Sequence, residues 1–231
     1  YILTYDYDKW SFIDPKEAQK KLNLPRNPRD YTSIAVTTDD SNDEIVYASS
    51  MGDGVIQYKN GTPVQSYNEK NAFKETAGGY GSGYCYIDGL AFDKNGNLWM
   101  TSSEVNHAVL VLDKAGAWHR LDIEQLRGVY TINDILITST NDKWIYVPRN
   151  TPKLVMIPNS ESLDEVSSYE FTTLIDTDGK ELTPSNYTCV AEDKDGYIWV
   201  GTNRGAVYFT KPRISSAEDK AATRCTRVKY T

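Results

Sequence analysis

The stretch VAEDKDGYIWVGT, residues 190–202, repeats the pattern of LAFDKNGNLWMTS, residues 90–102. Both stretches place an Asp three residues before a Gly and a Trp three residues after that Gly. Two looser copies are ILITSTNDKWIYV, residues 135–147, and IAVTTDDSNDEIVYAS, residues 34–49. Because the same pattern returns along the chain, we predict a fold built from a repeated unit.

The aromatic residue of each copy sets the spacing of the units. These residues are Tyr47, Trp99, Trp144 and Trp199, at intervals of 52, 45 and 55 residues. Each is followed by a polar break and an alternating segment, namely GVIQYK (54–59), HAVLVLD (107–113), KLVMIP (153–158) and AVYFT (206–210). Short strands with turn signals and no long helical pattern favour an all-β fold. Four-stranded units of this length are typical of the blades of a β-propeller.

The N-terminal segment indicates how many blades the chain holds. ILTYDYDKWSFIDPKEA (2–18) aligns with VLVLDKAGAWHRLDIEQL (109–126), so that Trp10 matches Trp118. We therefore predict an all-β segment of a larger propeller, with about four and a half blades of four antiparallel strands. The predicted spans are a half blade at 1–14 and blades at 33–66, 86–122, 131–171 and 187–230.

Large aromatic residues and glycines have predicted places in these blades. Trp99, Trp144 and Trp199 are expected between neighbouring blades, each burying on the order of 200 Å². Gly96 and Gly196 fit the positive-φ position of a hairpin turn. The repeat thus predicts both the turn and the core contact of a unit.

Composition narrows the classes of partner. The chain of 231 residues has 25 Lys and Arg against 32 Asp and Glu, for a net charge of −7. An acidic chain without a basic run is not expected to bind nucleic acid. No apolar run approaches the roughly 20 residues that cross a bilayer, so we expect no membrane insertion by this segment. Three cysteines, Cys85, Cys189 and Cys225, are too few to imply a disulfide framework.

The sequence DKDG at 193–196 resembles the start of a calcium loop, as do DKNG at 93–96 and DTDG at 176–179. An EF-hand loop requires Gly at its sixth position and Glu at its twelfth, whereas these glycines fall at the fourth. A hairpin turn in which the Asp caps backbone amides is the favoured interpretation. The two histidines, His107 and His119, have no evident third ligand for zinc. We predict no metal or other cofactor.

The glycine-rich stretch GGYGSGYCY, residues 78–86, is the remaining candidate motif. It matches neither the P-loop nor the Gly-x-Ser-x-Gly nucleophile elbow. We predict a structural crossover between blades here, with a binding loop as the alternative.

One face of a propeller collects the connections from second to third strands and from each fourth strand to the next blade. The inter-blade connections here, at 14–32, 67–86, 122–131 and 172–186, are long and rich in aromatic and polar residues. Arg and Tyr suit sugars or acidic groups through bidentate hydrogen bonds and stacking. The predicted ligand-binding residues on this face are Tyr80, Tyr84, Asn106, His107, Arg149, Asn150, Asn203 and Arg204.

The pattern apolar-x-x-Asp-x-x-Gly-x-Ile-Trp-Val-Gly-Thr-x-x-Gly, best seen at 190–207, resembles the two-component-regulator propeller repeat of Gram-negative periplasmic sensors. The ending RGAVYFTKPRISSAEDKAATRCTRVKY, residues 204–230, is similar to that of PorZ-type propeller components of the type IX secretion system. The resemblance spans roughly residues 33–230. It implies a non-enzymatic cell-envelope protein in the periplasm or at the cell surface, with glycan, lipopolysaccharide or other envelope proteins as partners.

Two alternative functions stay open from the sequence. A periplasmic glycan-sensing ectodomain of a hybrid two-component sensor would use the same repeat. GNLWMTSSEVNHAVLVLD, residues 96–113, also resembles repeats of propeller lyases and lactonases. Those enzymes use acidic metal ligands or a catalytic His near the central axis, and only His107 is a candidate for such a role.

Overall fold

The computed structural model describes residues 2–6, 8–73 and 83–228, and its strands pair antiparallel in consecutive groups. The mostly β, antiparallel character predicted from the repeat is confirmed. The first group is a hairpin of β1 (Ile2–Asp6) and β2 (Lys9–Ile13).

Two four-stranded meanders follow the hairpin. Unit one consists of β3 (Tyr31–Thr38), β4 (Glu44–Gly52), β5 (Gly54–Lys59) and β6 (Thr62–Tyr67). Unit two consists of β7 (Cys85–Phe92), β8 (Leu98–Ser102), β9 (Val109–Leu112) and β10 (Trp118–Leu121). The two meanders join in one eight-stranded sheet, because the end of β4 reaches the start of β7 and Met51 pairs with Tyr86.

Two further meanders complete the described chain. Unit three consists of β11 (Ile135–Ile137), β12 (Lys143–Val147), β13 (Lys153–Ile157) and β14 (Tyr169–Phe171). A small hairpin of β15 (Leu174–Ile175) and β16 (Glu181–Leu182) lies in the connection predicted at 172–186 and was not foreseen. Unit four consists of β17 (Tyr187–Glu192), β18 (Tyr197–Thr202), β19 (Gly205–Thr210) and β20 (Thr226–Arg227).

Short helices occupy connections between strands. Helix α1 (Pro15–Leu22) begins where the Asp14 carboxylate accepts the amide of Lys16 at 2.9 Å, a typical N-cap. It ends at Asn23, whose φ is 51°. Helix α2 (Ala217–Ala222) follows an N-cap at Ser216. Within the described ranges, neither helix has the length and hydropathy to cross a membrane.

Apolar side chains fill the spaces between successive units. Trp99 lies in the core between units two and three, and Trp144 lies between units three and four. Each indole is only 1% exposed, which confirms the place predicted for both residues. Lys143 is buried beside Trp99, with its Nζ 4.4 Å from the ring centroid.

Trp199 does not have the burial expected from the repeat. It is partly exposed and rests against Tyr208, with ring centroids 4.9 Å apart. Its neighbours Ile198 and Val200 point to the other face of β18 and belong to the core shared with unit three. The expectation fails because no further unit of the described chain covers the face that carries Trp199.

Hydroxyl groups link the inner strands of neighbouring units. Thr32 donates its hydroxyl to the carbonyl of Ile87 at 2.6 Å, joining units one and two. Thr101 donates to Asn133 at 2.9 Å, and the Tyr146 hydroxyl donates to a carbonyl of unit four at 3.2 Å. These bonds fix the first strands of units two and four, and the connection that enters unit three, against the preceding unit.

Candidate functional site

The antiparallel meanders place their connections at two opposite ends. The crossover face carries the connections from second to third strands and those between units, including residues 14–30, 53, 68–73, 83–84, 122–134 and 203–204. The turn face carries the connections from first to second and from third to fourth strands. All the predicted binding residues that the structure describes lie on the crossover face.

A cleft of about 300 Å³ opens on the crossover face, where the connection from β2 to β3 meets the β4–β5 turn and the β6–β7 connection. We call it the Arg26 cleft, and its lining residues are Leu24, Pro25, Arg26, Asp53, Asn68, Glu69, Lys70, Gly83 and Tyr84. Three separate connections therefore build one site. Tyr84, predicted from the sequence, lies in it, whereas the predicted Tyr80 falls outside the described residues.

Arg26 is the best-fixed charged group of this cleft. Its Nε lies 2.5 Å from Asp53 Oδ1, and its Nη2 donates to the carbonyl of Gly52 at 3.3 Å. The guanidinium carbon also lies 5.0 Å from the centroid of the Tyr84 ring, a cation–π distance. The hydrogen bond to Asp53 raises the pKa of Arg26, so the cleft keeps a positive group in a defined orientation.

Local sequence explains how these side chains meet. The turn MGDG at 51–54 places Asp53 between two glycines with φ of 120° and 78°, a conformation that other residues rarely adopt. At Gly52 an added Cβ would lie 3.2 Å from the Tyr84 ring. The glycine therefore makes room for the ring. Neither Arg26 nor Asp53 was singled out from the sequence, although the first lies in the predicted inter-blade connection 14–32.

The remaining predicted residues are spread over the crossover face. Asn106 is exposed and His107 is half-buried on the β8–β9 connection. Arg149 and Asn150 are exposed on the β12–β13 connection. Arg204 is exposed on the β18–β19 turn, where its amide donates to the Thr202 hydroxyl at 3.0 Å.

Asn203 has a structural role in addition to any ligand contact. Its side-chain oxygen accepts the amides of Ser185 and Asn186 at 2.9 and 3.1 Å. The residue thereby holds the connection that enters unit four.

Asn150 lines a second, shallower cleft on the same face. The other residues of this cleft are Glu124, Gln125, Arg127, Gly128, Val129, Tyr130, Thr151, Lys153 and Glu170. Lys153 is held by Glu170 at 2.6 Å and by the carbonyl of Gln125 at 3.1 Å. Tyr130 is 60% exposed, so an aromatic surface and polar groups lie side by side.

The aspartates of the suspected calcium loops are engaged in their own turns. Asp193 accepts the amides of Asp195 and Tyr197 at 2.9 Å each, and Gly196 has φ of 80°. Asp176 accepts the amides of residues 178 and 180 in the same way. The predicted hairpin turns are thus confirmed. Across the described ranges no group of three or more potential metal ligands is found.

The two histidines have different surroundings. His119 lies between Asp113 and Asp164, at 3.1 and 3.3 Å from its two ring nitrogens. Its hydrogen bond to Asp113 raises the pKa of His119 and lowers that of Asp113. This arrangement ties the β13–β14 connection to unit two. All three cysteines are free thiols, with Cys189 exposed.

Part of the repeat identified in the sequence matches a known protein family. Residues 181–204 match the two component regulator propeller family. This stretch contains the turn and strand that carry Asp193 and Trp199. No match is found among curated proteins.

Solved structures share the fold over most of the chain. PorZ, described as an essential bacterial surface component of the type-IX secretion system of Porphyromonas gingivalis, is 20% identical with a TM-score of 0.81. The similarity covers 97% of this chain and 30% of PorZ. The extracellular domain assigned to a hybrid two component system of B. thetaiotaomicron is 15% identical with a TM-score of 0.56, covering 85% of this chain and 23% of that one. The chain therefore carries a two-component-regulator propeller repeat, has a propeller-like fold similar to part of PorZ, and spans less than a third of either protein.

Proposed function

We propose that the chain is a non-catalytic recognition and scaffold module of a cell-envelope protein, comparable to the PorZ component of the type IX secretion system. The similarity to PorZ over 97% of the chain supports this proposal. The proposed location is the periplasm or surface of a Gram-negative bacterium. PorZ is itself described as a bacterial surface component.

The proposal includes about four and a half blades of a larger propeller. In this proposal the hairpin β1–β2 forms the third and fourth strands of a preceding blade; its inward residues Ile2 and Ile13 pack on unit one. Ile34 and Val36 share the face of unit one that this hairpin covers only in part, and they are 52% and 55% exposed. First and second strands of the preceding blade would cover them.

The observation that carries the recognition role is the Arg26 guanidinium, held by Asp53 and stacked near Tyr84 at the cleft. Asp53 compensates the charge of Arg26, and the fixed guanidinium offers oriented N–H donors to a ligand without losing further conformational freedom. The Tyr84 ring offers a surface on which a sugar ring stacks. Asn68 and Glu69 supply hydrogen-bonding groups beside it. A glycan or the sugar portion of lipopolysaccharide fits this combination.

Binding to a glycan array and to purified lipopolysaccharide tests this function. We expect Arg26→Gln and Tyr84→Ala each to weaken binding by at least about tenfold, or about 1.4 kcal/mol. Arg204→Gln is the matched comparison: Arg204 is an exposed, predicted contact of the same face but lies outside the cleft, so binding confined to the cleft should leave this variant unaffected. Thermal melting shows that each variant is folded.

Two results would count against the proposed site. Equal loss of binding in Arg204→Gln would mean that diffuse charge on the face is responsible. Lack of binding to every glycan and to lipopolysaccharide would remove the ligand-binding part of the proposal. The sensor alternative is favoured by the match of residues 181–204 to the two component regulator propeller family. A kinase domain encoded in the same gene would support the sensor function over the secretion function.

A further inference from the structure

The turn face holds a third cleft, of about 320 Å³, between units three and four. It lies at the opposite end of the strands from the Arg26 cleft. We call it the Lys211 cleft, and its lining residues are Thr138, Ser139, Thr140, Asp142, Trp144, Glu192, Lys194, Asp195, Gly196, Ile198, Lys211, Pro212 and Arg213. Both acidic and basic side chains line this cleft. The hydrogen-bond and ion-pair partners of each side chain therefore decide which charges a ligand would meet.

The carboxylates of this cleft are already engaged by hydrogen bonds. Glu192 accepts the amide and the hydroxyl of Ser139 at 2.6 and 2.5 Å, which joins the two units. Asp142 accepts the hydroxyl of Thr140 at 2.6 Å and the amide of Asn159 at 2.8 Å. These hydrogen bonds fix the orientation of the two carboxylates, whose charges remain beside the basic groups of the cleft.

Two basic side chains of the cleft have no such partner. Among the described residues, no carboxylate lies within ion-pair distance of Lys211 or Arg213, although Lys194 pairs with Asp195 at 3.3 Å. Lys211 also has an uncommon φ of 46°, and its aliphatic chain lies over Gly196. An added Cβ at Gly196 would come within 3.3 Å of Lys211 Cε. The turn at Gly196 therefore supports the aliphatic part of the Lys211 side chain.

The equivalent positions of the other units show what is specific to unit four. In unit one this position is the uncharged Asn60, because the strand register makes Gln57, Val111 and Tyr208 equivalent. Lys114 lies over Gly96 much as Lys211 lies over Gly196. The residue two positions after Lys114 is a glycine, whereas Arg213 stands two positions after Lys211. Of units one, two and four, only unit four thus places two basic residues here, neither of them in an ion pair among the described residues.

We propose that the Lys211 cleft binds a carboxylate side chain of an acidic peptide segment in a protein partner, with Lys211 and Arg213 as the charged contacts. A singly charged carboxylate suits the cleft better than a phosphate dianion, because Asp142 and Glu192 stay nearby and repel the higher charge more strongly. The hydroxyls of the 138–140 turn offer hydrogen bonds to the peptide backbone. This inference is independent of the ligand assigned to the crossover face.

Fluorescence anisotropy with a labelled glutamate-rich peptide tests the proposal on the whole chain. We expect saturable binding that the double variant Lys211→Gln/Arg213→Gln weakens at least about tenfold. Raising NaCl to about 0.5 M should weaken it as well, since exposed charges are screened at that ionic strength. The same peptide with Gln in place of Glu is expected not to bind.

Lys114→Gln is the matched control, because it removes the same charge from the equivalent position of unit two. It should leave the affinity unchanged, and melting curves should show all variants folded. An affinity equal to that of the unmodified chain in the double variant would overturn the proposal, as would the absence of peptide binding. Displacement of the peptide by an equal concentration of inorganic phosphate would overturn the assignment to a carboxylate partner.

Discussion

Trp99 donates its indole hydrogen to the carboxylate of Asp93 at 2.9 Å. In unit four, Trp199 makes the same bond to Asp193 at 2.7 Å. The second oxygen of each carboxylate accepts two amides of the intervening turn. The repeated Asp and Trp are therefore parts of one hydrogen-bonded motif that closes the turn and orients the indole.

The Asp93→Ala substitution tests how much this hydrogen-bonded motif contributes to the free energy of unfolding. In Asp93→Ala the buried indole nitrogen and two turn amides lose their acceptor. Since an unsatisfied buried donor costs about 1–3 kcal/mol, we expect the free energy of unfolding to fall by about 2–4 kcal/mol. Urea denaturation followed by tryptophan fluorescence measures the change. Asp193→Ala, at a more exposed turn, should cost less, and an equal loss in both variants would contradict this account.

Trp99 and Trp199 are equivalent in sequence and are expected to differ in stability. Trp99→Ala removes a fully buried ring and should cost about 3–5 kcal/mol. Trp199→Ala should cost only about 1–2 kcal/mol, because its ring is partly exposed. Chemical denaturation of both variants gives the two values. A loss for Trp199→Ala as large as that for Trp99→Ala would mean that another part of the chain covers this face.

These cases show which features the sequence predicts well. In the two best copies of the repeat, at 90–102 and 190–202, the Asp, Gly and Trp lie within six residues of one another, so a single stretch of sequence predicts their arrangement. Exposure of Trp199 depends on whether another unit follows, which no local pattern records. Arg26 meets Asp53 and Tyr84 only through the packing of three connections. The hairpin β15–β16 has strands of two residues, too short to show periodicity.

The positive charge of Lys143 is expected to contribute little to the free energy of unfolding. Burial lowers the pKa of its amine, and no described carboxylate lies within ion-pair distance. In Lys143→Met the side chain keeps most of its length and loses the desolvated charge. We expect a free energy of unfolding equal to or higher than that of the unmodified chain, by up to about 1 kcal/mol. Lys143→Ala should instead lose about 2 kcal/mol or more through a cavity beside Trp99. Thermal and urea unfolding distinguish these results, and a destabilised Met variant would show that the cation–π contact outweighs desolvation.

Asp88 gives the chain a predicted pH dependence. Burial raises the pKa of this carboxyl to about 7, despite the hydrogen bond that it accepts from the Ser103 hydroxyl at 2.7 Å. The folded chain therefore holds a proton on Asp88 between about pH 4 and pH 7, where the unfolded chain has released it. The contribution of Asp88 to the free energy of unfolding is greatest below pH 4, falls as the pH rises to about 7, and is constant above that value.

Asp88→Asn removes this slope while keeping an acceptor for Ser103. Since three units of pKa correspond to about 4 kcal/mol at most, and water reaches part of the carboxyl, we expect a gain of about 1–3 kcal/mol at pH 8 relative to the unmodified chain. At pH 4 the two should be about equally stable. Urea unfolding across this pH range measures the difference, with Asp40→Asn at an exposed turn as the control. A difference that does not change with pH would show that Asp88 keeps one protonation state in the folded chain between pH 4 and pH 8, which would contradict this account.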